Sequence, residues 1–307
     1  MSGGTTNMNI VFFTETKWAF GQIHNSLCKR LLPYGINAEV LDFFTQYTRE
    51  EMLAISDNTE YFVTTPVGVG WLLQYDIPPQ KIKSVAHAQW DILLSNSQIG
   101  TEVYKDLAGY GVVSVTLKEK SFDFGISRIP AVLNMGIEFD RFYAPVSQSL
   151  NKVGYAAAFE SRNFAGEEIK RGRLVQTACD KVGLPLVRPQ THYLGMPSFY
   201  KSVDAVVMSS TEEGAGLPML EAAAAGKLCI GTPVGYFREN SRALRGGFAV
   251  HMAEDLFVQD VVGVLNYSKA YPEEYRKVCT DIQEYAREHY DWSKHIDKWV
   301  NFLLAPK

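Results

Sequence analysis

The chain has 307 residues, of which 46% are hydrophobic and 21% charged, and its 30 Lys and Arg against 34 Asp and Glu give a net charge of −4. A mix so near the globular average excludes a disordered chain, a collagen-like fibre and a charged-tail protein. With no basic stripe, nucleic acid is excluded as the main partner, and at roughly 100–200 residues per domain the length fits two domains.

Met1–Asn7 is small and polar and lacks the apolar core of a secretory signal, so it reads as a flexible leader or an added segment ahead of Met8. No apolar run approaches the roughly 20 residues of a membrane span. Cys28, Cys179, Cys229 and Cys279 lie far apart without a CxxC pair and read as reduced thiols rather than as a zinc site or a disulfide framework. The expectation is a soluble cytoplasmic protein, with peripheral attachment to a membrane left open.

From Met8 short apolar runs alternate with amphipathic stretches. The pattern predicts strands at Asn9–Thr14, Ala38–Phe43, Tyr61–Thr65, Ser84–His87, Ile92–Ser95, Val112–Thr116 and Ala131–Leu133, a helix at Ile23–Leu32, and a turn at Asn134-Met135-Gly136. A second series follows: strands at Val153–Ala157, Pro185–Arg188, Ala205–Met208 and Leu228–Ile230, with helices at about Gly172–Val182 and Leu217–Ala225. Glu273–Leu304 reads as largely helical, with a break near Tyr290–Trp292. This βαβ rhythm implies parallel sheets covered on both faces. The two series predict two doubly wound α/β lobes with a cleft between them: 8–145, 151–290, and a closing helix over 291–307 that crosses back to the first lobe.

Chemistry concentrates in Ser209–Gly235, SSTEEGAGLPMLEAAAAGKLCIGTPVG. A strand ends at Met208, a loop follows, and Pro218 sits where a first helical turn tolerates a missing N–H. Gly214 and Gly216 allow close backbone approach, and with Ala215 and Leu217 they present free amides at the positive end of the helix, suited to a phosphate. Glu213 and Glu221, eight residues apart, bracket that loop at the carboxyl edge of a parallel sheet, where α/β folds bind ligands. Taken singly, each carboxylate reads equally well as a solvated helix-start charge.

The run Glu213-Gly-Ala-Gly-Leu-Pro-Met-Leu-Glu221 resembles the Glu-x7-Glu element of the retaining glycosyltransferase family 4, usually E-G-F-G-L-P-x-x-E-A, with Ala215 where Phe is common. Tyr200-Lys-Ser-Val-Asp204, Ser209-Ser210 and Gly231-Thr-Pro-Val-Gly235 are similar to the same family. So are Trp18-Ala-Phe-Gly21-Gln-Ile-His24, with one glycine of the usual pair, Ile129–Pro145, with Met135 inserted between Asn and Gly, and Asp291-Trp292-Ser293.

The resemblance implies a GT-B fold and a retaining, hexosyl-type glycosyltransferase that moves a sugar from a nucleotide-diphosphate donor to an acceptor hydroxyl. The donor is expected to be a UDP-sugar, with GDP and ADP open. The acceptor is a carbohydrate, a lipid-linked sugar or a small molecule. The chain has no Asp-x-Asp metal clamp, so no metal or other cofactor is expected. Lys170 matches the family lysine at the diphosphate, and Arg162 stands in for an arginine whose usual place is held by Tyr155. Glu213 then contacts the sugar and steadies charge at its anomeric carbon, Glu221 grips the ribose, His87 faces the donor sugar, and Gly21 lines the first loop. Arg162, Lys170 and His87 also fit ordinary structural or surface roles. Trp18, Trp71 and Trp90 are open to acceptor contact or core packing. A nucleotide-sugar epimerase of the same fold and a silent nucleotide-sugar-binding subunit remain as alternatives.

Overall fold

The computed structural model describes residues 8–16, 19–162, 166–190, 193–241 and 245–306. Trp18 and the leader Met1–Asn7 lie outside the described residues. The chain divides into two compact units, one of residues 1–134 and 296–307, the other of residues 135–295.

The first unit is built on β1 (Met8–Thr14), β2 (Ile36–Asp42), β3 (Tyr61–Thr64), β4 (Ile82–Ala86), β5 (Gly109–Val112) and β6 (Ala131–Val132). They form one parallel sheet in the order β2-β1-β3-β4-β5-β6. Ile10–Phe13, Ile82–Ala86 and Gly109–Val112 are buried along their whole length, as strands covered on both faces must be. The helices are α1 (Ala19–Leu31), α2 (Arg49–Asp57), α3 (Pro66–Gln74), α4 (Gln89–Ile99), α5 (Val103–Asp106) and α6 (Val115–Asp123).

The second unit carries α7 (Phe139–Phe142), β7 (Val153–Gly154), α8 (Gly172–Val182), β8 (Leu186–Val187), α9 (Met196–Lys201), β9 (Ala205–Met208), α10 (Leu217–Ala224), β10 (Leu228–Gly231), α11 (Gly235–Ser241), β11 (Phe248–Ala249), α12 (Glu254–Ala270) and α13 (Pro272–His289). Its parallel sheet runs β11-β10-β9-β7-β8. In both sheets the first strand lies beside the third, so each unit has a topological switch point, between β1 and β3 and between β7 and β9, where such folds open a crevice for ligands. The small side chains Ala222–Ala225 are fully buried, which lets α10 lie close on its sheet.

Three sequence expectations are corrected. Ile92–Ser95 is not a strand but the middle of α4, because so short an apolar run fits either period and its flanking residues continue the helix over Gln89–Ile99. The strand expected at Val112–Thr116 ends at Val112, since Ser114 accepts a hydrogen bond from the Leu117 amide and caps α6. Asn134-Met135-Gly136 forms no turn: the next residue, Ile137, pairs with Asp291, donating to the Tyr290 carbonyl at 2.8 Å. The stretch 145–151 lies inside the second unit. No helix among the described residues is long and apolar enough to cross a membrane.

The closing helix α14 (Ile296–Leu304) belongs to the first unit. Lys83, 1% exposed on β4, donates its three ammonium protons to the Phe302, Leu303 and Ala305 carbonyls at 2.7, 2.9 and 3.0 Å. A cation on the orphan carbonyls at a helix C-terminus is favourable on both hydrogen-bond and dipole grounds. Lys83→Met leaves those acceptors empty and is expected to cost the first unit about 2 kcal/mol. Limited proteolysis should then cut within Ile296–Leu304 while the parent chain resists.

Candidate active site

The expected carboxylate and lysine meet at the β7/β9 switch point. Lys170, just before α8, forms an ion pair with Glu213 Oε1. Ser210 Oγ donates to the same oxygen at 2.7 Å. The lysine is held from its backbone: its carbonyl accepts from both the Tyr155 and the Ser209 hydroxyls, and the Thr211 amide donates to Ile169 O at 2.9 Å. Arg171 completes the fixing, donating to Ser209 O and Met252 O, each at 2.7 Å. It does so from the left-handed region, φ 47°, a strained backbone for a residue with a Cβ and one that commonly marks functional sites.

The loop that follows is arranged for an anion. Gly216 caps α10 at φ 76° and ψ 44°, which a glycine adopts without strain. The Ala215 carbonyl is taken by the Tyr236 amide at 3.0 Å, and that of Gly216 by Met219 at 3.0 Å. Among the described residues none accepts from the amides of Gly214, Ala215, Gly216 or Leu217. Donors are thus left pointing out of the positive end of α10, beside a lysine.

Glu221, one turn into α10, is 5% exposed and accepts from the Tyr200 hydroxyl at 2.7 Å. Burial pushes its carboxyl up to about 7, against the opposing pull of Tyr200 and of Arg141. Arg162 is not brought to this cluster. It lies exposed on a short antiparallel bridge with Glu168 and donates to the Gly166 carbonyl at 2.6 Å. Among the described residues no three His, Cys, Asp or Glu side chains cluster as metal ligands.

In the first unit, His87 follows β4 at 5% exposure, its ring edge-on to that of His24 at 5.3 Å, and His24 stacks on Phe12 at 4.7 Å. Burial holds His87 down near 4, and burial together with the neighbouring His87 lowers His24 well below the ordinary imidazole range, so both rings are neutral at pH 7. Asp91, buried on α4, accepts from the Val67 amide at 3.1 Å and is pushed up to about 7 by burial. Gly21 lies in the first turn of α1, where a Cβ would stand 2.6 Å from Thr16 Cα; only glycine admits that approach. Trp71 and Trp90 are half-buried, and Trp71 meets Phe43 edge-on at 4.5 Å.

Sequence reasoning gave no role to Tyr155, Ser210 or Tyr200, although all three fall in or beside family-like stretches. The signal was available in their spacing: a hydroxyl at the end of β9 and another after β7 are placed to face the same turn.

Residues 164–266, within the second unit, match the family described as glycosyl transferases, group 1. No curated protein matches the chain by sequence. Among solved structures it is similar to HepE from Anabaena in complex with UDP-glucose, at 13% identity and a TM-score of 0.71, covering 96% of this chain and 99% of that one. It is also similar to sucrose-phosphate synthase from Thermosynechococcus elongatus (12%, TM-score 0.69, covering 96% and 98%). A third is the lipopolysaccharide outer core galactosyltransferase WaaB in its apo form (13%, TM-score 0.65, covering 96% and 99%). The fold, with its two parallel sheets, is that of the GT-B glycosyltransferases, and a segment of the second unit is similar to the glycosyl transferases group 1 family.

Proposed function

We propose that this chain is a retaining, metal-independent glycosyltransferase that moves a hexose from a nucleoside-diphosphate sugar, of which a UDP-sugar is the first candidate, to an acceptor hydroxyl. The observation that carries the reading is the Lys170–Glu213 pair set beside the unclaimed amides of Gly214–Leu217. A fixed cation and free donors serve a leaving diphosphate, and an adjacent carboxylate serves a carbon on which positive charge grows. Preorganised donors of this kind are worth most where charge develops during the reaction.

In this reading the diphosphate rests on the loop amides and Lys170, Glu213 faces the sugar, and Glu221 holds the ribose. The departing phosphate oxygen takes the acceptor proton in a same-face substitution. Gly21 and His87 are proposed as substrate-binding and catalytic residues, His87 as a neutral imidazole. Arg162 is proposed as a peripheral contact, since its guanidinium already donates to the Gly166 carbonyl. Support for a uridine nucleotide comes from HepE, whose structures hold UDP and UDP-glucose.

The test is slow hydrolysis of UDP-, GDP- and ADP-glucose in EDTA, followed by ¹H NMR. The expected result is release of α-glucose first, from one of the three donors, at a rate the chelator leaves unchanged. Release of β-glucose first, or loss of activity in EDTA with recovery in Mg²⁺ or Mn²⁺, contradicts the mechanism.

A further inference from the structure

Glu221 is an expensive residue to keep where it is. It is buried on a helix whose next residues, Ala222–Ala225, are fully buried, and its carboxyl meets Tyr200, which is itself fully buried. An ionised carboxylate in such surroundings is destabilising unless it is hydrogen-bonded and paired. An apolar side chain would serve packing better, so the carboxylate points to a ligand outside the protein.

The groups that face it come from three places, and a fourth group lies behind Tyr200. Tyr200 on α9 donates to Oε2 at 2.7 Å. Arg141 on α7 contributes positive charge, although its guanidinium also donates to Tyr193 O at 3.1 Å, stacks over the Tyr193 ring at 4.3 Å and lies 3.6 Å from Glu138. The Tyr193 phenol interacts electrostatically with Glu221, and Cys229 on β10 faces Tyr200. Both phenols and the thiol are raised by burial and stay neutral through the physiological range. The protonation state of Glu221 is therefore set by burial on one side and by Tyr200 and Arg141 on the other.

Tyr200 has no other partner for its hydroxyl among the described residues, and its ring is wedged edge-on between Phe142 and Phe199 at 5.8 and 5.1 Å. The ring cannot swing, so the hydroxyl is delivered to one point. We propose that Tyr200 is a positioning residue for the donor site: it aims Glu221 and keeps it in the ionised form that accepts the two ribose hydroxyls. The proposal rests on the donor-site reading above. Its consequence is that donor affinity falls with acid as Glu221 takes up a proton, and that Tyr200 sets the pH at which this happens.

The experiment is calorimetric titration of UDP, from pH 5.5 to 9, into the parent chain, Tyr200→Phe, Glu221→Gln and the double variant. It is paired with ¹³C NMR titration of the Glu221 carboxyl without ligand. Tyr200→Phe keeps the ring contacts and removes only the donor. It should move the Glu221 midpoint upward from about 7 and weaken UDP roughly 10-fold at pH 7, the scale of one hydrogen bond to a charged group. That penalty should shrink at pH 9, where the carboxylate ionises without help. Glu221→Gln should remove this pH dependence, and adding Tyr200→Phe to it should change UDP affinity no further. An unmoved Glu221 midpoint, or a lower melting temperature with unchanged UDP affinity, overturns the proposal and leaves a packing role. If the parent chain binds no nucleoside diphosphate at all, the donor-site reading fails instead, and Tyr200 loses its donor role with it.

Discussion

Lys170→Ala is expected to lower turnover by roughly 10²–10³-fold, the loss that follows removal of one preorganised charge partner from a transition state. The effect has two sources. The diphosphate loses its nearest cation as it departs, and Glu213, no longer neutralised by the ion pair, places an unpaired carboxylate beside the incoming phosphates. The second source can be separated by experiment. Adding Glu213→Gln to Lys170→Ala should restore part of the UDP affinity while leaving turnover low. Folding should be little affected, because the anchoring of this segment runs through the Lys170 carbonyl and the Arg171 guanidinium rather than the lysine side chain. Near-parental turnover in Lys170→Ala would mean that the phosphate cation lies elsewhere.

Glu213→Gln should separate binding from chemistry in the opposite sense. In the resting chain Glu213 occupies Lys170, so a donor must draw the lysine away from it. Gln keeps a hydrogen-bonding partner for Ser210 but releases the lysine, and UDP should bind several-fold more tightly than to the parent. Turnover should nonetheless fall by about 10²-fold, because in the proposed role the carboxylate acts on positive charge that exists only as the glycosidic bond breaks. A fall in kcat with unchanged or lower donor KM is the pattern of an interaction made in the transition state. If Glu213→Gln instead raises KM and spares kcat, Glu213 is a ground-state contact.

Much of this site was legible because its parts are close in sequence. Glu213, Gly216, Pro218 and Glu221 fall within one loop and two helical turns, where chain geometry alone fixes which way each residue points. The parallel sheets were legible for a similar reason: buried strands such as Ala205–Met208 and Leu228–Gly231 are short apolar runs set off by loops. The failures share a different cause. Ile92–Ser95 carries no period of its own, and only the flanking residues that pack as helix decide it. The strand Gly109–Val112 was misplaced because glycines argue against a strand locally. Here they are required by neighbours: a Cβ on Gly109 would stand 3.0 Å from the Phe302 ring, and one on Gly111 2.7 Å from Leu133.

Long-range pairing was out of reach for the same reason. Tyr155 stands where the family arginine is usual, and nothing local reveals that its hydroxyl holds the Lys170 carbonyl fifteen residues on. Arg162 fits the sequence as a second phosphate cation, yet it bridges Glu168 and donates to the Gly166 carbonyl instead. The Tyr200–Glu221 bond joins two helices that flank β9, and only the packed sheet brings them together.

The central claim is that the loop between β9 and α10, with Lys170, forms a nucleoside-diphosphate site. Calorimetric titration of UDP in EDTA, into the parent chain, Lys170→Ala and Glu221→Ala, tests it most directly. The account predicts one site per chain in the parent and affinity roughly 10- to 100-fold weaker in each variant, the range for losing a charged hydrogen bond. Equal UDP affinity in all three proteins would contradict it.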